Sequence, residues 1–173
     1  MKPLDYNIYL IGFMGTGKST IARYLNTVYG METIEMDQII AQRQKMSISD
    51  IFKIYGEEYF RELETGLLSE MQMKKNMVVS CGGGTPVRRR NVEEMKKNGK
   101  IVLLTASPET ILERVKNSHD RPLLENNKTV SYISGLMEQR REIYEAAADI
   151  VICTDDRSKK QICDEIMEKL YDL

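Results

Sequence analysis

Short apolar runs alternate along this chain with longer segments whose apolar residues recur every three or four positions. Ile8-Tyr9-Leu10-Ile11, Met77-Val78-Val79, Ile101-Val102-Leu103-Leu104 and Ile150-Val151-Ile152 are such runs. Their length and their polar or glycine flanks predict buried strands. Strands are expected over 6–11, 33–36, 77–80, 100–104 and 149–153, the second being Thr33-Ile34-Glu35-Met36. The segments between them have helical spacing. Ile21, Ala22, Leu25 and Val28 share one face of a helix over 18–29, with Gly30 as its stop. A short helix over 38–44 follows, then one from Ser47 that Gly56 breaks, then a long one with Phe60, Leu63, Leu67, Leu68 and Met71 on its apolar side. Gly66 costs that helix about 1 kcal/mol relative to Ala. Ser107 and Pro108 open a helix over 107–116, residues 129–147 form another, and Ser158 caps a last one. Strand, helix and strand joined by a crossover imply a parallel pair. The prediction is an α/β fold of three layers, a five-stranded parallel sheet between helices on both faces.

At 173 residues the chain is long enough for one well-buried core. It has no internal repeat, low-complexity stretch or linker, so a single domain over 1–173 is expected. Apolar residues make up 42% and charged residues 29%, as in a soluble globular protein. A net charge of −1 argues against a nucleic-acid surface built on excess basic charge. No apolar run approaches the ~18 residues of a membrane span. Met1-Lys2-Pro3-Leu4-Asp5 meets an acidic residue and then a strand, so no signal peptide is expected. Cys81, Cys153 and Cys163 have no metal-ligand spacing and no even-numbered framework, which fits thiols in a reducing cytosol. The expectation is a cytoplasmic monomer acting on small molecules.

Chemistry enters with Gly12-Phe13-Met14-Gly15-Thr16-Gly17-Lys18-Ser19-Thr20, which lies between the first strand and the first helix. This is G-x-x-x-x-G-K-[ST], the phosphate-binding loop. Its glycines bring backbone N–H groups against phosphate oxygens, and the helix behind adds its positive end. Lys18 reaches the β- and γ-phosphates of a nucleoside triphosphate, and the Ser19 hydroxyl ligates Mg²⁺. Asp37 follows the second strand at the sheet edge where ligands bind, with Glu35 two residues before it. Two readings stay open for Asp37: a carboxylate that holds a substrate hydroxyl or Mg²⁺, or the N-cap of the 38–44 helix. Cys81-Gly82-Gly83-Gly84 ends the third strand and allows close approach of a ligand or of backbone. Arg61 lies among Glu57, Glu62 and Glu64, as a surface ion pair or as a carboxylate fork. Arg88-Arg89-Arg90 reads as solvated surface, because three consecutive residues cannot share one helical face. The stretch 117–127 is polar at both ends and long for a connection, which predicts a lid; His119, the single histidine, reads there as a solvated loop residue. The protein-kinase motif set is missing, as is a GTPase-type base-reading motif.

The ordered set of motifs resembles the shikimate kinases, small members of the nucleoside-monophosphate-kinase-like group. The likeness runs from about Ile8 to Arg157. It rests on the phosphate loop, on Asp37, and on Gly56-Glu57-x-x-Phe60-Arg61-x-x-Glu64. Gly82-Gly83-Gly84, Arg121-Pro122-Leu123-Leu124 with Arg114 upstream, and Arg140 through Tyr144 complete it. The resemblance implies transfer of the γ-phosphate of ATP to the 3-hydroxyl of shikimate, in chorismate and aromatic amino-acid biosynthesis, with Mg²⁺ as cofactor. It implies that Asp37 binds the acceptor and is the catalytic base, and that Arg61 and Arg140 hold the acceptor's carboxylate. Gly82, Gly83 and Gly84 would line the acceptor pocket, and a helical segment over about 37–75 would bind the substrate. Gly15, Thr16, Gly17, Lys18, Ser19 and Thr20 would hold the phosphates. Arg114 and Arg157 would flank the adenine, and Arg121 would touch the transferring phosphate. Two departures stand out. Glu35 occupies the position of the family's metal-associated Asp, and Glu142 that of a proline, which predicts a straighter helix and a carboxylate near Arg140. A gluconate kinase, or a nucleotide-binding module without catalysis, competes with this reading. Arg61 with the triple glycine and Arg-Pro-Leu-Leu weighs against the first, and intact Lys18, Ser19, Asp37 and Arg121 against the second.

Overall fold

The structure is a computed structural model that describes residues 3–116 and 127–173. The first strand, β1 (Asn7–Ile11), is buried along its whole length. Two more strands follow on one side of it in the sheet, β2 (Glu32–Glu35) and β3 (Met77–Ser80), and two on the other, β4 (Gly99–Thr105) and β5 (Ile150–Cys153). Every pairing is parallel and the spatial order is β2-β3-β1-β4-β5. The register sets Ile8 beside Val78, Leu10 beside Val102, Ile34 beside Val79 and Leu104 beside Ile152. The predicted three-layer α/β architecture is therefore the observed one.

Successive residues of a strand point to opposite faces, and the core divides accordingly. Ile8, Leu10, Val102 and Leu104 pack with Ile21 and Leu25 of α1 (Lys18–Tyr29) and with Ile162 and Ile166 of α7 (Lys159–Tyr171). Tyr9, Ile11, Val79 and Leu103 pack on the other face. Their partners there include Met36 and Ile40 of α2 (Met36–Gln44) and Ile51 and Phe60 of α3 (Ile48–Glu70). Met95 of α4 (Arg89–Asn98), Ile111 of α5 (Pro108–Val115) and Ile133 of α6 (Val130–Ala147) complete that layer. Each such aliphatic or aromatic side chain stabilises the fold by about 1.5–3 kcal/mol relative to exposure. Among the described residues no helix is long and apolar enough to cross a membrane.

The local signals acted as expected at several ends. Ser107 accepts from the Thr110 amide, Thr129 from that of Tyr132, and Ser158 forms a capping box with Gln161. Gly30 closes α1 in the left-handed region at φ 66°. Gly56, at φ 83° and ψ 171°, is non-helical and divides α3 into two helical segments, as expected, and the second then runs unbroken through Gly66. Helix α6 also runs unbroken past Glu142.

Four expectations need correction. Met36 is not strand but the first residue of α2, because its side chain is drawn fully into the core beneath the helix. That shift puts Asp37 inside the first turn and makes Glu35 the N-cap, so Asp37 is not the helix cap. Val28 is 52% exposed, and the chain instead turns at Gly30 and buries Met31 in the α1 layer. Arg88 is not solvated surface: it precedes α4 in extended backbone, and its side chain turns to Glu58 and Glu62 of α3, each at 2.5 Å.

Candidate active site

In a parallel sheet all carboxyl ends share one edge, and ligands bind in the crevice outside it. Here that edge carries the phosphate loop after β1, Asp37 after β2 and the triple glycine after β3. A cleft of about 530 Å³ opens there, lined by Gly15, Gly17, Lys18, Ser19, Thr20, Glu35, Asp37, Gly82, Gly83 and Arg114.

The loop geometry follows from its glycines. A methyl group on Gly12 would stand 2.4 Å from the carbonyl oxygen of Leu104, and its φ of 142° disfavours any side chain. Gly17 enters α1 at φ 99°, which frees the first amides of the helix to face the cleft. Lys18 Nζ donates to the carbonyls of Gly12 and Phe13 at 2.8 and 3.1 Å, so its ammonium lies across the loop. Thr16 is the one loop residue among those predicted to hold phosphate that turns inward. Its side chain is buried and donates to Phe13 O at 2.8 Å, bracing the loop from behind.

Ser19 Oγ donates to Oε2 of Glu35 at 2.9 Å and lies 3.4 Å from Oγ of Ser80. Two hydroxyls and a carboxylate form a set of hard oxygen donors suited to Mg²⁺. Among the described residues no group of three or more His, Cys, Asp or Glu side chains gathers to hold a metal. A cation here would draw most of its ligands from phosphate and water, as Mg²⁺ commonly does.

The triple glycine brings the remaining predicted residues to one turn. A methyl group on Gly82 would stand 2.9 Å from Oδ1 of Asp37 and 3.2 Å from Oε1 of Glu64. One on Gly83 would stand 3.6 Å from Nη1 of Arg140, and one on Gly84 only 2.1 Å from Nη2 of Arg61. Each glycine thus leaves room for a different side chain of the predicted acceptor site. Arg61 is 8% exposed and is no free surface cation: Nη1 donates to Glu64 at 2.7 Å and Nη2 to Glu57 at 3.1 Å. Phe60 lies under the guanidinium at 5.4 Å from its ring centre. Burial pushes the Glu64 carboxyl up, against the pull of Arg61 and Thr85. Tyr144, buried beside Arg140, donates to the Gly83 carbonyl at 2.6 Å. Burial raises its hydroxyl's pKa, which keeps that proton in place.

Arg114 joins this cleft to a second crevice. Its guanidinium donates to Gly15 O at 3.1 Å, to Thr154 Oγ1 at 3.0 Å and to Thr154 O at 3.1 Å. The crevice beyond, about 570 Å³, is lined by Glu109, Thr110, Glu113, Arg114, Asp156 and Arg157 among others. Arg157 is fixed by Glu165 and by the carbonyls of Cys153 and Gln161. Arg121 and His119, with residues 117–126 of the stretch predicted to be a lid, lie outside the described residues. Ser80, Thr85 and Asn91 were not among the expected site residues. Ser80 carries a faint signal, a hydroxyl ending an apolar strand, whereas nothing local marks Asn91.

Known proteins resemble this chain over nearly its whole length. A model of the shikimate kinase family matches residues 14–171. A shikimate kinase from a Sulfurihydrogenibium species is 42% identical over 164 residues, 95% of this chain and 97% of that protein. The relative from Persephonella marina, also a shikimate kinase, is 42% identical over 164 residues, 95% of this chain and 98% of its own. Among solved structures, shikimate kinase from Acinetobacter baumannii in complex with shikimate superposes with a TM-score of 0.87 at 31% identity, covering 96% of this chain and 93% of that one.

Proposed function

The chain belongs to the shikimate kinase family, and from that premise we propose that its cleft moves the γ-phosphate of ATP to the 3-hydroxyl of shikimate. The protein is an ATP-dependent shikimate kinase of aromatic biosynthesis. One observation carries the assignment of the site: a single turn, Gly82 to Gly84, abuts two carboxylates, Asp37 and Glu64, and two guanidinium groups next to the phosphate loop. A hydroxylated carboxylic acid needs those groups, a base for its hydroxyl and forks for its carboxylate.

ATP lies with its phosphates over the backbone amides of residues 15–20 and its base toward the crevice between Arg114 and Arg157. Lys18 swings from its loop carbonyls to the β- and γ-phosphates. Ser19 and Glu35 would hold Mg²⁺, which would offset charge on those phosphates. The longer Glu35 side chain already reaches the Ser19 hydroxyl directly, which supports its fitness for that position despite the departure from aspartate. Arg61 and Arg140 grip the acceptor carboxylate, which turns its hydroxyl to Asp37. Asp37 takes the hydroxyl proton as the oxygen attacks γ-phosphorus and ADP leaves. On the strength of its motif alone, Arg121 meets the charge that builds on the transferring group. Arg121→Ala then lowers kcat by about 10²-fold, the scale of a lost electrostatic donor. The need for ATP supports a cytoplasmic location, and the working unit we propose is a monomer.

The test is coupled ADP release with shikimate, with gluconate and with no acceptor, followed by NMR of the product. Release that depends on shikimate, with phosphate on the 3-oxygen, is the expected result. Equal release with gluconate, or release independent of acceptor, overturns the proposal.

A further inference from the structure

A closed ring of buried side chains lies behind the acceptor site, and it begins and ends on Arg61. The guanidinium Nη1 donates to Oε2 of Glu64 at 2.7 Å. Oε1 of the same carboxylate accepts from Oγ1 of Thr85 at 2.5 Å. The Thr85 carbonyl accepts from Nδ2 of Asn91 at 3.0 Å. Oδ1 of Asn91 lies 2.5 Å from Oγ1 of Thr65, which lies 2.9 Å from the carbonyl oxygen of Arg61 itself. Glu64, Thr65, Thr85 and Asn91 are all buried, and Asn91 lines neither the phosphate cleft nor the base crevice.

We propose that Asn91 is a positioning residue for acceptor recognition, its amide locking the turn after the triple glycine to the helical turn that carries Arg61. The proposal rests on the assignment of Arg61 to the acceptor's carboxylate. An arginine side chain has many rotamers, and a fork held in one of them loses less freedom when it binds. The ring holds this fork at both ends. Glu64 anchors the guanidinium, and Thr65 lies against the backbone of the same residue. Gly84 roofs it so closely that a methyl group there would stand 2.1 Å from Nη2. Asn91 adds a second link between roof and fork beside the contact of Thr85 with Glu64. Thr85 follows Gly84 directly, so a shift of Thr85 moves the roof and the Glu64 anchor together. The amide donates to the Thr85 carbonyl with one atom and faces the Thr65 hydroxyl with an acceptor on the other, which a carboxylate cannot do. Aspartate in its place sets a carboxylate against the Thr85 carbonyl and loosens the turn.

The test combines calorimetric shikimate binding with steady-state kinetics on Asn91→Asp, Thr65→Val and Thr65→Ser. Asn91→Asp and Thr65→Val should each raise the shikimate Kd and KM about tenfold while the KM for ATP moves less than about twofold. Thr65→Ser keeps the hydroxyl and should restore near wild-type binding. In an Arg61→Lys background, where the fork is gone, Asn91→Asp should add less than about twofold to the shikimate Kd. If Asn91→Asp does not fold, the Thr65 pair decides by the same readings. The proposal falls if a folded variant binds shikimate as tightly as the wild type, or if both KM values rise alike. It falls also if the effect of Asn91→Asp is undiminished beside Arg61→Lys. Wild-type shikimate binding by Arg61→Lys alone sinks the Arg61 assignment, and the proposal with it.

Discussion

Asp37 is where the chemistry of single residues is most exposed to test. It sits in the first turn of α2 rather than at its cap, with Glu64 as a like charge nearby. Asp37→Asn keeps shape and loses a charge at a helix start, an effect of about 0.3–1 kcal/mol. Its melting temperature should therefore stay within a few degrees of wild type. Its kcat should fall by about 10²-fold or more, the scale of a lost general base, with ATP affinity retained. Near-normal turnover removes Asp37 as the base. Arg61→Lys keeps charge beside Glu64 but replaces a planar fork by a point donor. It should raise the KM for shikimate far more than that for ATP; equal changes would count against the division of roles. The cysteines give a test of packing. Cys153 is exposed, whereas Cys81 and Cys163 are buried. Burial pushes the Cys163 thiol up to about 12 and Cys81 higher still. A thiol reagent at about pH 8 should modify one group in the native protein and all three cysteines after denaturation.

At the scale of elements, the glycine turn and the helix beneath it act together. Gly84 has an ordinary φ of −96°, so a methyl group there acts through contact rather than backbone strain. Gly84→Ala must displace the Arg61 guanidinium, and overpacking of this kind costs about 1–3 kcal/mol. We expect a lower melting temperature and weak shikimate binding, with ATP binding near wild type because the phosphate loop belongs to another element. Calorimetry with each ligand separates the two effects, and intact shikimate affinity would contradict the contact. The caps of α5 and α7 were legible because a cap is a contact between residues three apart. The start of α2 was not, because the burial of Met36 decided it. Arg88 was misread for the same reason: its partners, Glu58 and Glu62, lie on a helix whose approach no local spacing encodes.

For the whole molecule, catalysis and stability are separable, since the cleft lies at the sheet edge and the two apolar layers lie on its faces. Lys18→Met should abolish transfer, a loss of at least about 10²-fold for a group that meets transition-state charge. Its unfolding midpoint in urea should match the wild type; a variant that fails to fold would refute that separation. The residues in order were enough for the α/β class, the strands and the phosphate loop. A strand buried on both faces is a continuous apolar run, and a loop that binds phosphate with its own consecutive amides needs no distant partner. The order β2-β3-β1-β4-β5 lay beyond such reading, and the meeting of Asp37, Arg61 and Arg140 on one glycine turn was expected only through the family resemblance. The ring through Asn91 also lay beyond it. Those contacts join residues far apart in the chain, and they exist because particular helices pack side by side over the sheet. Packing of that kind follows from the summed burial of many side chains, which no single stretch of sequence carries.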